Sequence, residues 1–487
     1  MHARVDIAII GGGATGWMAA AYLNRFLPSL DIAVMESPDV PPLGVGESLN
    51  SVSRRFNAAL GIDEAEFLRA VDGTYKIGIA FEEFADLGTG FFHPFGRPAG
   101  PVDAHPHAQD AFPATWLCRA NRFDPGQGAR GYHVCATRYA GFLRDLATAR
   151  GVTRIAAHAE RVRRSGRAIA AVEDLEADLF IDCTGFRGLL LGDALQTPFH
   201  GLDDTLPNDA AVALRVPYER IATRPFPFTR CAAQEAGWIW EIPLWSRLGA
   251  GYCYARRHLT PDDATARLKA HLGLSADDDL EPMHIRFRHG RHARAVAENC
   301  VALGGAFGFI EPLESTGLAM TQANIMSLVP GLADLGRWDR LCRERFDTTA
   351  DFVFAHYRLS RRRDSAYWRE IQTRAPGPRL ARLLAEARHG DFERIDNDPG
   401  HFYRARNWNA VLSGMGLFDA PETDAPPLDT QDLAARAAEA PDFVTHLAET
   451  LHGPPPWPHT PPPSPVAPPA PARRRPAPAP MMDNASP

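Results

Sequence analysis

The clearest pattern in the chain is an apolar run at its start. Val5 to Ile10 is mostly β-branched, broken only by Asp6 and stopped by Gly11, which predicts a buried strand. Thr15 to Phe26 then reads as a helix with Trp17, Ala20, Ala21 and Leu23 turned inward, and Ile32 to Met35 as a second strand. A strand–helix–strand opening implies an α/β fold with a parallel sheet and a right-handed crossover. Two further strands are predicted far downstream. Leu179–Asp182 runs into Thr184-Gly185-Phe186-Arg187-Gly188, and Cys300–Leu303 runs into Gly304-Gly305. Ligands of open α/β sheets bind at the carboxyl ends of the strands, so three glycine-bearing strand ends point to one extended ligand.

From Thr349 the periodicity turns helical, with Phe352, Phe354, Ala355, Tyr357 and Leu359, then Leu380, Leu383 and Leu384. Three segments are therefore expected: residues 1–348 as a nucleotide module with an interleaved β-rich substrate region, 349–451 as a mainly helical module, and 452–487 as a tail. Dense proline and alanine without periodicity predict that the tail is disordered, with polyproline II character. The sequence contains no internal repeat.

Composition narrows the function classes. A hydrophobic share of 45% and a charged share of 23% suit a globular protein. The net charge of −7, from 52 basic and 59 acidic residues mixed along the chain, builds no extended basic face, so nucleic acid is not an expected partner. The basic runs Arg361–Arg363 and Arg473–Arg475 are short and read as solvated. Seven scattered cysteines without a CxxC pair predict buried, reduced thiols, and His105 and His107 alone in a polar loop do not predict a metal. With no secretory leader and no stretch of about 18 apolar residues, the expected location is cytoplasmic, off the membrane. One count changes the picture: of the 52 basic residues only Lys76 and Lys269 are lysine.

Gly11-x-Gly13-x-x-Gly16 lies between the first strand and its helix. Gly11 permits the tight turn, Gly13 lets backbone approach a pyrophosphate, and Gly16 lets helix and strand pack closely, with the diphosphate on the amides of Ala14 and Thr15 at the helix start. Glu36 follows at the end of the second strand, where a carboxylate can hold the adenosine ribose. A chain binding only NAD would not need the two distant glycine turns. An FAD extended from adenosine to isoalloxazine would.

The motifs resemble those of the flavin-dependent tryptophan halogenases. Gly11-Gly12-Gly13-Ala14-Thr15-Gly16-Trp17 is similar to that family's glycine box, and Gly44-Val45-Gly46-Glu47-Ser48 to its flavin-contacting strap. Trp238-Ile239-Trp240-Glu241-Ile242-Pro243 matches its WxWxIP signature, and Glu311-Pro312-Leu313-Glu314-Ser315-Thr316-Gly317 its halide and substrate segment. The order agrees over about residues 5 to 370. The resemblance implies a GR2-like Rossmann module of the flavin monooxygenase type. It implies FAD, supplied reduced by a separate NAD(P)H-dependent flavin reductase, together with O2 and chloride or bromide. It adds Gly46, Glu47, Gly304 and Ile310 to the flavin site and assigns halide to Ser315, Thr316 and Gly317. Hypohalous acid formed at the flavin would then reach a separate pocket, where Lys76 presents the halogen and Glu314 stabilises the cationic arene or takes its proton. His93, Phe95 and Trp408 would line the aromatic substrate, and a homodimer is common among such enzymes.

The residues by themselves leave blander readings open: core tryptophans at 238 and 240, a helix cap at Ser315, a plain turn around His93. For Lys76 the composition argues against a merely solvated cation. A chain that uses arginine nearly everywhere suggests, at a lysine, a site where guanidinium would fail and a compact amine that can be desolvated is needed. Lys269, in an apparent surface helix, receives no role. Two departures from the family pattern stand out. Ser48-Leu49-Asn50-Ser51 lacks the strap's usual proline, and Arg406-Asn407-Trp408-Asn409-Ala410-Val411 lacks the tyrosine- and glutamate-rich stretch that grips free tryptophan. The alternatives are a flavin monooxygenase or oxidoreductase on the same fold, against which Trp238–Pro243 argues, and a non-catalytic flavoprotein that binds a partner through its tail.

Overall fold

In a computed structural model of the chain, residues 3–39, 46–418 and 428–457 can be described. Gly44, Val45 and the tail beyond 457, Arg473–Arg475 included, lie outside the described residues.

The opening strand Ala3–Ile10 sits centrally in a mixed sheet, flanked in parallel register by Ile32–Glu36 and Leu175–Asp182. Cys300–Ala302 and Thr153–Ala156 extend the parallel part on either side. The helix Ala14–Phe26 crosses between the first two strands and is buried from Gly16 to Leu23, so all four inward positions predicted for it are covered. All three glycine turns fall at the carboxyl edge of this sheet.

A second sheet has the order 283–286, 210–217, 247–254, 237–243, 228–234, 78–82, 90–94. Every pairing in it is antiparallel except that of Phe228–Gln234 with Gly78–Glu82. Its strand Gly237–Pro243 is buried throughout. A small antiparallel sheet links the two layers: Gly131–Val134 pairs with Glu47–Leu49 on one side and Thr74–Lys76 on the other. The chain around Lys76 therefore forms two strands, Thr74–Lys76 and Gly78–Glu82, in different sheets. The chain changes sheets at Ile77, whose amide donates to the Pro227 carbonyl and whose carbonyl accepts from the Phe95 amide. That switch puts Lys76 at the junction of the two sheets.

Helices dominate after residue 315, beginning with Thr316–Gly331 and Leu335–Arg358. The second of these runs unbroken across residue 348, and its Phe352, Val353 and Ala355 join the same hydrophobic core as Ile7 and Ile9. The boundary expected at 348 is thus one of composition, not of packing. The boundary at 452 also moves. His452 stacks on Trp245 and bonds the Gly73 carbonyl, and Trp457 packs on Tyr218 and Trp245, so residues 452–457 belong to the body.

Lys269 is not the surface lysine its helix suggested. It is buried in the last turn of Pro261–His271, where Nζ donates to the carbonyls of Ala276 (3.1 Å) and Asp278 (2.7 Å) and ties down the following loop. All seven cysteines are buried free thiols. Among the described residues no helix is long and apolar enough to cross a membrane, and no group of three His, Cys, Asp or Glu could hold a metal.

Candidate active site

At the carboxyl edge of the first sheet, each glycine of the opening box does a different job. Gly11 adopts φ +112°, and a Cβ there would lie 2.3 Å from the Cys183 carbonyl oxygen. A Cβ on Gly16 would lie 1.8 Å from the Gly11 carbonyl oxygen, whereas one on Gly13 would meet nothing within 4 Å. Gly11 and Gly16 are thus needed by the fold, and Gly13 only by something that approaches from outside. Gly13 caps the helix without a side-chain hydrogen bond, which leaves the first-turn amides free for an anion.

Gly11, Gly12 and Gly13 line a cavity of about 670 Å³ with Glu36, Arg154, Cys183, Thr184 and Gly185. The Glu36 carboxylate is held at the rim, accepting from Trp17 Nε1 at 3.1 Å and Arg154 Nε at 2.6 Å. A second cavity of about 420 Å³ meets the first at Gly185. It is lined by Thr15, Gly46, Glu47, Gly304, Ile310 and the Trp238–Trp240 face. Burial pushes the Glu47 carboxyl up to about 7. A narrow slot between apolar walls, continuous with an anion site at a helix start, fits a flavin dinucleotide. Trp238 and Trp240 are buried like core residues, yet both face this slot.

At the far wall of the slot stand Ser48, Thr229 and Ser315, and behind them lies Lys76. Lys76 is fully buried; its Nζ donates to Ser48 Oγ (2.8 Å) and Ser315 Oγ (2.6 Å) and sits 5.1 Å from the centre of the Phe95 ring. Burial, only partly offset by the nearby Glu314 and cysteine groups, brings its pKa down to about 7. Ser315 takes φ +56° before the helix Thr316–Gly331, and this left-handed turn aims consecutive side chains in different directions. Ser315 faces the lysine and the slot. Glu314 turns away toward His93, whose Nδ1 is 2.6 Å from Oε2, and His356, whose Nε2 comes within 2.9 Å of Oε1 outside hydrogen-bond alignment. Burial alone would raise the Glu314 carboxyl, but the two imidazoles, His93 first, outweigh it and hold it at about 2.

The tautomer of His93 follows from its neighbours. The Arg404 amide donates to Asn407 Oδ1 at 3.1 Å, so Asn407 Nδ2 faces His93 Nε2 (2.9 Å) as a donor. Nε2 must then accept, and Nδ1 carries the hydrogen given to Glu314. The Glu314 backbone carbonyl accepts from Tyr403 (2.9 Å), whose ring stacks on Phe352. His93 lies on the strand Gly90–Pro94, which removes the reading of this segment as a plain turn.

The structure thus gathers Lys76, Glu314, Ser315, His93 and Phe95. Trp408 stands one ring farther out, buried on the helix Ala405–Gly414 with its edge on Phe352. Of the expected halide residues, Ser315 and Gly317 line the slot, while the Thr316 hydroxyl turns inward to the Glu311 carbonyl at 3.3 Å. Glu311 in the same motif is structural. Its carboxylate accepts from Asn208 (2.6 Å) and Tyr357 (2.5 Å) and lies 3.4 Å from Trp238 Nε1. Sequence reasoning missed His356, Tyr403, Asn407 and Thr229. Of these, only His356 left a signal: one histidine inside the apolar helical run Phe352–Tyr357.

A sequence profile described as Tryptophan halogenase matches residues 6–432. The chain belongs to the tryptophan halogenase family. It is 34% identical to a 7-chloro-L-tryptophan 6-halogenase of Kutzneria sp. (strain 744), over 91% of this chain and 97% of that one. It is 32% identical to a tryptophan 7-halogenase of Lentzea aerocolonigenes, over 93% and 98%. Among solved structures, a flavin-dependent halogenase from Xanthomonas campestris superimposes with a TM-score of 0.84 at 31% identity, covering 94% of this chain and all of that one. One from Brevundimonas sp. BAL3 gives 0.81 at 30%, covering 92% and 99%. The two-layered flavin fold described above is therefore that of the flavin-dependent halogenases.

Proposed function

We propose that this chain halogenates an indole or a similar electron-rich arene, with Lys76 presenting the halogen and Glu314 assisting the arene. The observation that carries this reading is the bifurcation at residues 314 and 315. Two consecutive side chains serve opposite sides of one wall: Ser315 joins Lys76 to the flavin slot, and Glu314 turns away from the slot to the imidazole of His93.

Reduced FAD, delivered by a separate reductase, would supply the oxidation of halide with O2, with Gly13, Glu36 and Gly46 holding it and the amides of Thr316 and Gly317 offering the halide an anion site, the Ser315 amide being bonded to the Pro312 carbonyl. The Trp238–Trp240 face closes one side of the slot, so an arene is kept from direct approach to the flavin. In this reading hypohalous acid crosses the Ser48–Thr229–Ser315 wall, which is all that separates Lys76 from the slot. Lys76 meets it there, as a hydrogen-bond donor or as an amine that carries the halogen. The aromatic ring attacks the halogen, and Glu314, kept ionised by its imidazoles, stabilises the resulting cation and accepts its proton at Oε2 or Oε1. In this reading the rings of His93 and Phe95, which stand beside Glu314 and Lys76, hold the substrate, with Trp408 as a farther wall.

The test is a mass-spectrometric assay with FAD, an NADH-driven flavin reductase, bromide and a panel of indoles including free tryptophan. Brominated product that vanishes in Lys76→Ala is the expected result. Oxygenated product without bromine would transfer the protein to the monooxygenases. Product that persists in Lys76→Ala would remove the lysine from the reaction.

A further inference from the structure

Among the described residues, Lys76 is a buried charge-bearing group with no carboxylate in ion-pair contact. Among the described residues its ammonium meets only hydroxyls and a ring face, while the adjacent Glu314 is committed to His93 and His356. A buried cation without a counter-ion calls for another source of stabilisation. The hydrogen bonds beyond Ser48 supply one, because their directions can be deduced without ambiguity.

The deduction starts from the Pro243 carbonyl, which can only accept. Thr74 Oγ1 donates to it at 2.7 Å and so has no hydrogen left for its other neighbour, His133 Nδ1, at 3.0 Å. His133 Nδ1 therefore carries a hydrogen and gives it to Thr74. In the neutral ring Nε2 is then an acceptor, and Thr229 Oγ1, at 3.0 Å, must donate to it. With that hydrogen spent, Thr229 accepts from Ser48 Oγ at 2.6 Å. Ser48 in turn accepts from Lys76 at 2.8 Å and from Ser315 at 2.9 Å. Ser315, having donated to Ser48, accepts the second Lys76 hydrogen at 2.6 Å. The third faces the Phe95 ring, whose negative face suits an N–H and not a lone pair. Every dipole in the chain turns its negative end toward Nζ. Each link polarises the next, so the series strengthens as a unit.

We propose that Ser48, Thr229 and His133 are positioning residues for the reaction, forming an oriented hydroxyl–imidazole chain that holds Lys76 as the ammonium in place of a carboxylate. Their relevance to catalysis rests on the reading of Lys76 given above; their effect on its charge does not. The other titratable groups facing Lys76 are Glu314 on the neighbouring turn, Cys231 on the strand beside it and Cys118 on the helix Pro113–Ala120, and none of them lies on the chain. His133 faces Lys76 and is itself held neutral by burial and by that charge. The chain thus works against burial, which lowers the Lys76 pKa and is only partly offset by Cys231, Glu314 and Cys118.

The composition makes the test direct. With only two lysines in the chain, full-length protein labelled with 13C at the lysine Cε gives two signals, and Lys269→Arg assigns them. Thr229→Val keeps the side-chain shape and removes the link to His133. It is expected to lower the Lys76 titration midpoint by about one pH unit, a tenfold change in the ratio of its two forms, while the Lys269 signal stays put. Ser48→Ala, which removes the first link, is expected to shift it the same way and serves if Thr229→Val does not fold. His133→Leu should match Thr229→Val, and His133→Gln, which keeps an acceptor near the Nε2 position, should recover most of the loss. The limb of the halogenation pH profile that reports Lys76 should move to lower pH by the same amount, whichever form of the lysine is active. A Lys76 midpoint unchanged in folded Thr229→Val and Ser48→Ala protein would overturn the proposal. If the midpoint shifts but Lys76→Ala still halogenates, the proposed function fails and the chain of dipoles stands.

Discussion

The two ends of the flavin site are built in opposite ways. The nucleotide end is largely local: strand, glycine turn and helix come from residues 3–26, and Glu36, Arg154 and the turn at Cys183–Gly185 complete the rim. The lysine end is assembled from far-apart pieces. Ser48, Lys76, His93, Thr229, Glu314, His356 and Asn407 arrive on separate elements and meet at a junction between two sheets and the helices behind them. The difference follows from what each end must do. A diphosphate is satisfied by backbone amides at one helix start, which any sequence with the right glycines can offer. A buried amine and a neighbouring buried carboxylate must each be desolvated, oriented and kept from neutralising each other, and that takes side chains from several directions.

Lys76→Met probes the lysine end most strongly. Halogenation is expected to fall on the order of a thousandfold or more, measured as product by mass spectrometry, while FAD binding is retained. Stability should respond in the other direction. The folded pKa of Lys76, about 7, lies below the unfolded value near 10.4, so between these limits the unfolded chain binds one proton more and the folded state gains stability as pH rises. Below about pH 7 the whole desolvation penalty is present. Lys76→Met should therefore be more stable than the parent by a few kcal/mol at and below neutral pH, and should lack the parent's gain between pH 7 and 10. Thermal unfolding across that range checks it; a variant less stable at pH 6 would contradict the burial argument.

Glu314→Gln should cost about a hundredfold in activity and, unlike the lysine change, also cost stability, because it leaves two imidazoles facing an amide. The sign is again fixed by the pKa. A carboxyl held at about 2 contributes stability that is present above the unfolded value near 4.3 and is lost as pH falls toward 2. In the variant, that part of the acid sensitivity should be missing from the unfolding curve.

At the nucleotide end the glycines can be set against one another. Gly16→Ala drives a Cβ into the Gly11 carbonyl and is expected to cost about 2–3 kcal/mol even without flavin. Gly13→Ala opens onto empty space, so the apo protein should melt unchanged while FAD binds about tenfold more weakly. Equal losses of apo stability in both would dissolve the distinction between a glycine kept for the fold and one kept for the ligand.

This contrast also explains what could be read from the sequence. The opening strand, helix and second strand lie within a residue or two of their expected bounds, because their signals are short-range: β-branched runs, glycines and helical spacing. Lys76 and Glu314 stood out for different reasons, the first as one of only two lysines, the second through its motif. Their surroundings did not. Thr229 and Asn407 are ordinary polar residues whose meaning arises only when Phe228–Gln234 pairs with Gly78–Glu82 and the helix Ala405–Gly414 packs behind His93. The change of sheet at Ile77 was equally hidden, since only tertiary pairing separates Thr74–Lys76 from Gly78–Glu82. Lys269 misled for the opposite reason. Its helical position looked exposed, and the loop carbonyls that bury it lie past the end of its own helix.

Asn407 offers the smallest and most specific test of how the lysine end is ordered. Its amide is fixed by the Arg404 backbone N–H, and through its donor it forces His93 to present Nδ1–H to Glu314. Asn407→Asp reverses the chemistry at one atom: an acceptor now faces Nε2 and competes with Glu314 for the hydrogen of the ring. The Nδ1–H that His93 gives Glu314 would be drawn away, and the power of that carboxylate to stabilise the arene cation would drop. Asn407→Leu leaves Nε2 merely unpartnered and the Nδ1–H direction intact. The expected order of activity is parent, then Leu within about threefold, then Asp about tenfold down, with FAD affinity equal in all three because the nucleotide end is untouched. If Leu were the more damaging, Asn407 would matter for packing against the His93 strand, and the orientation of that imidazole would have to be set by Glu314 alone.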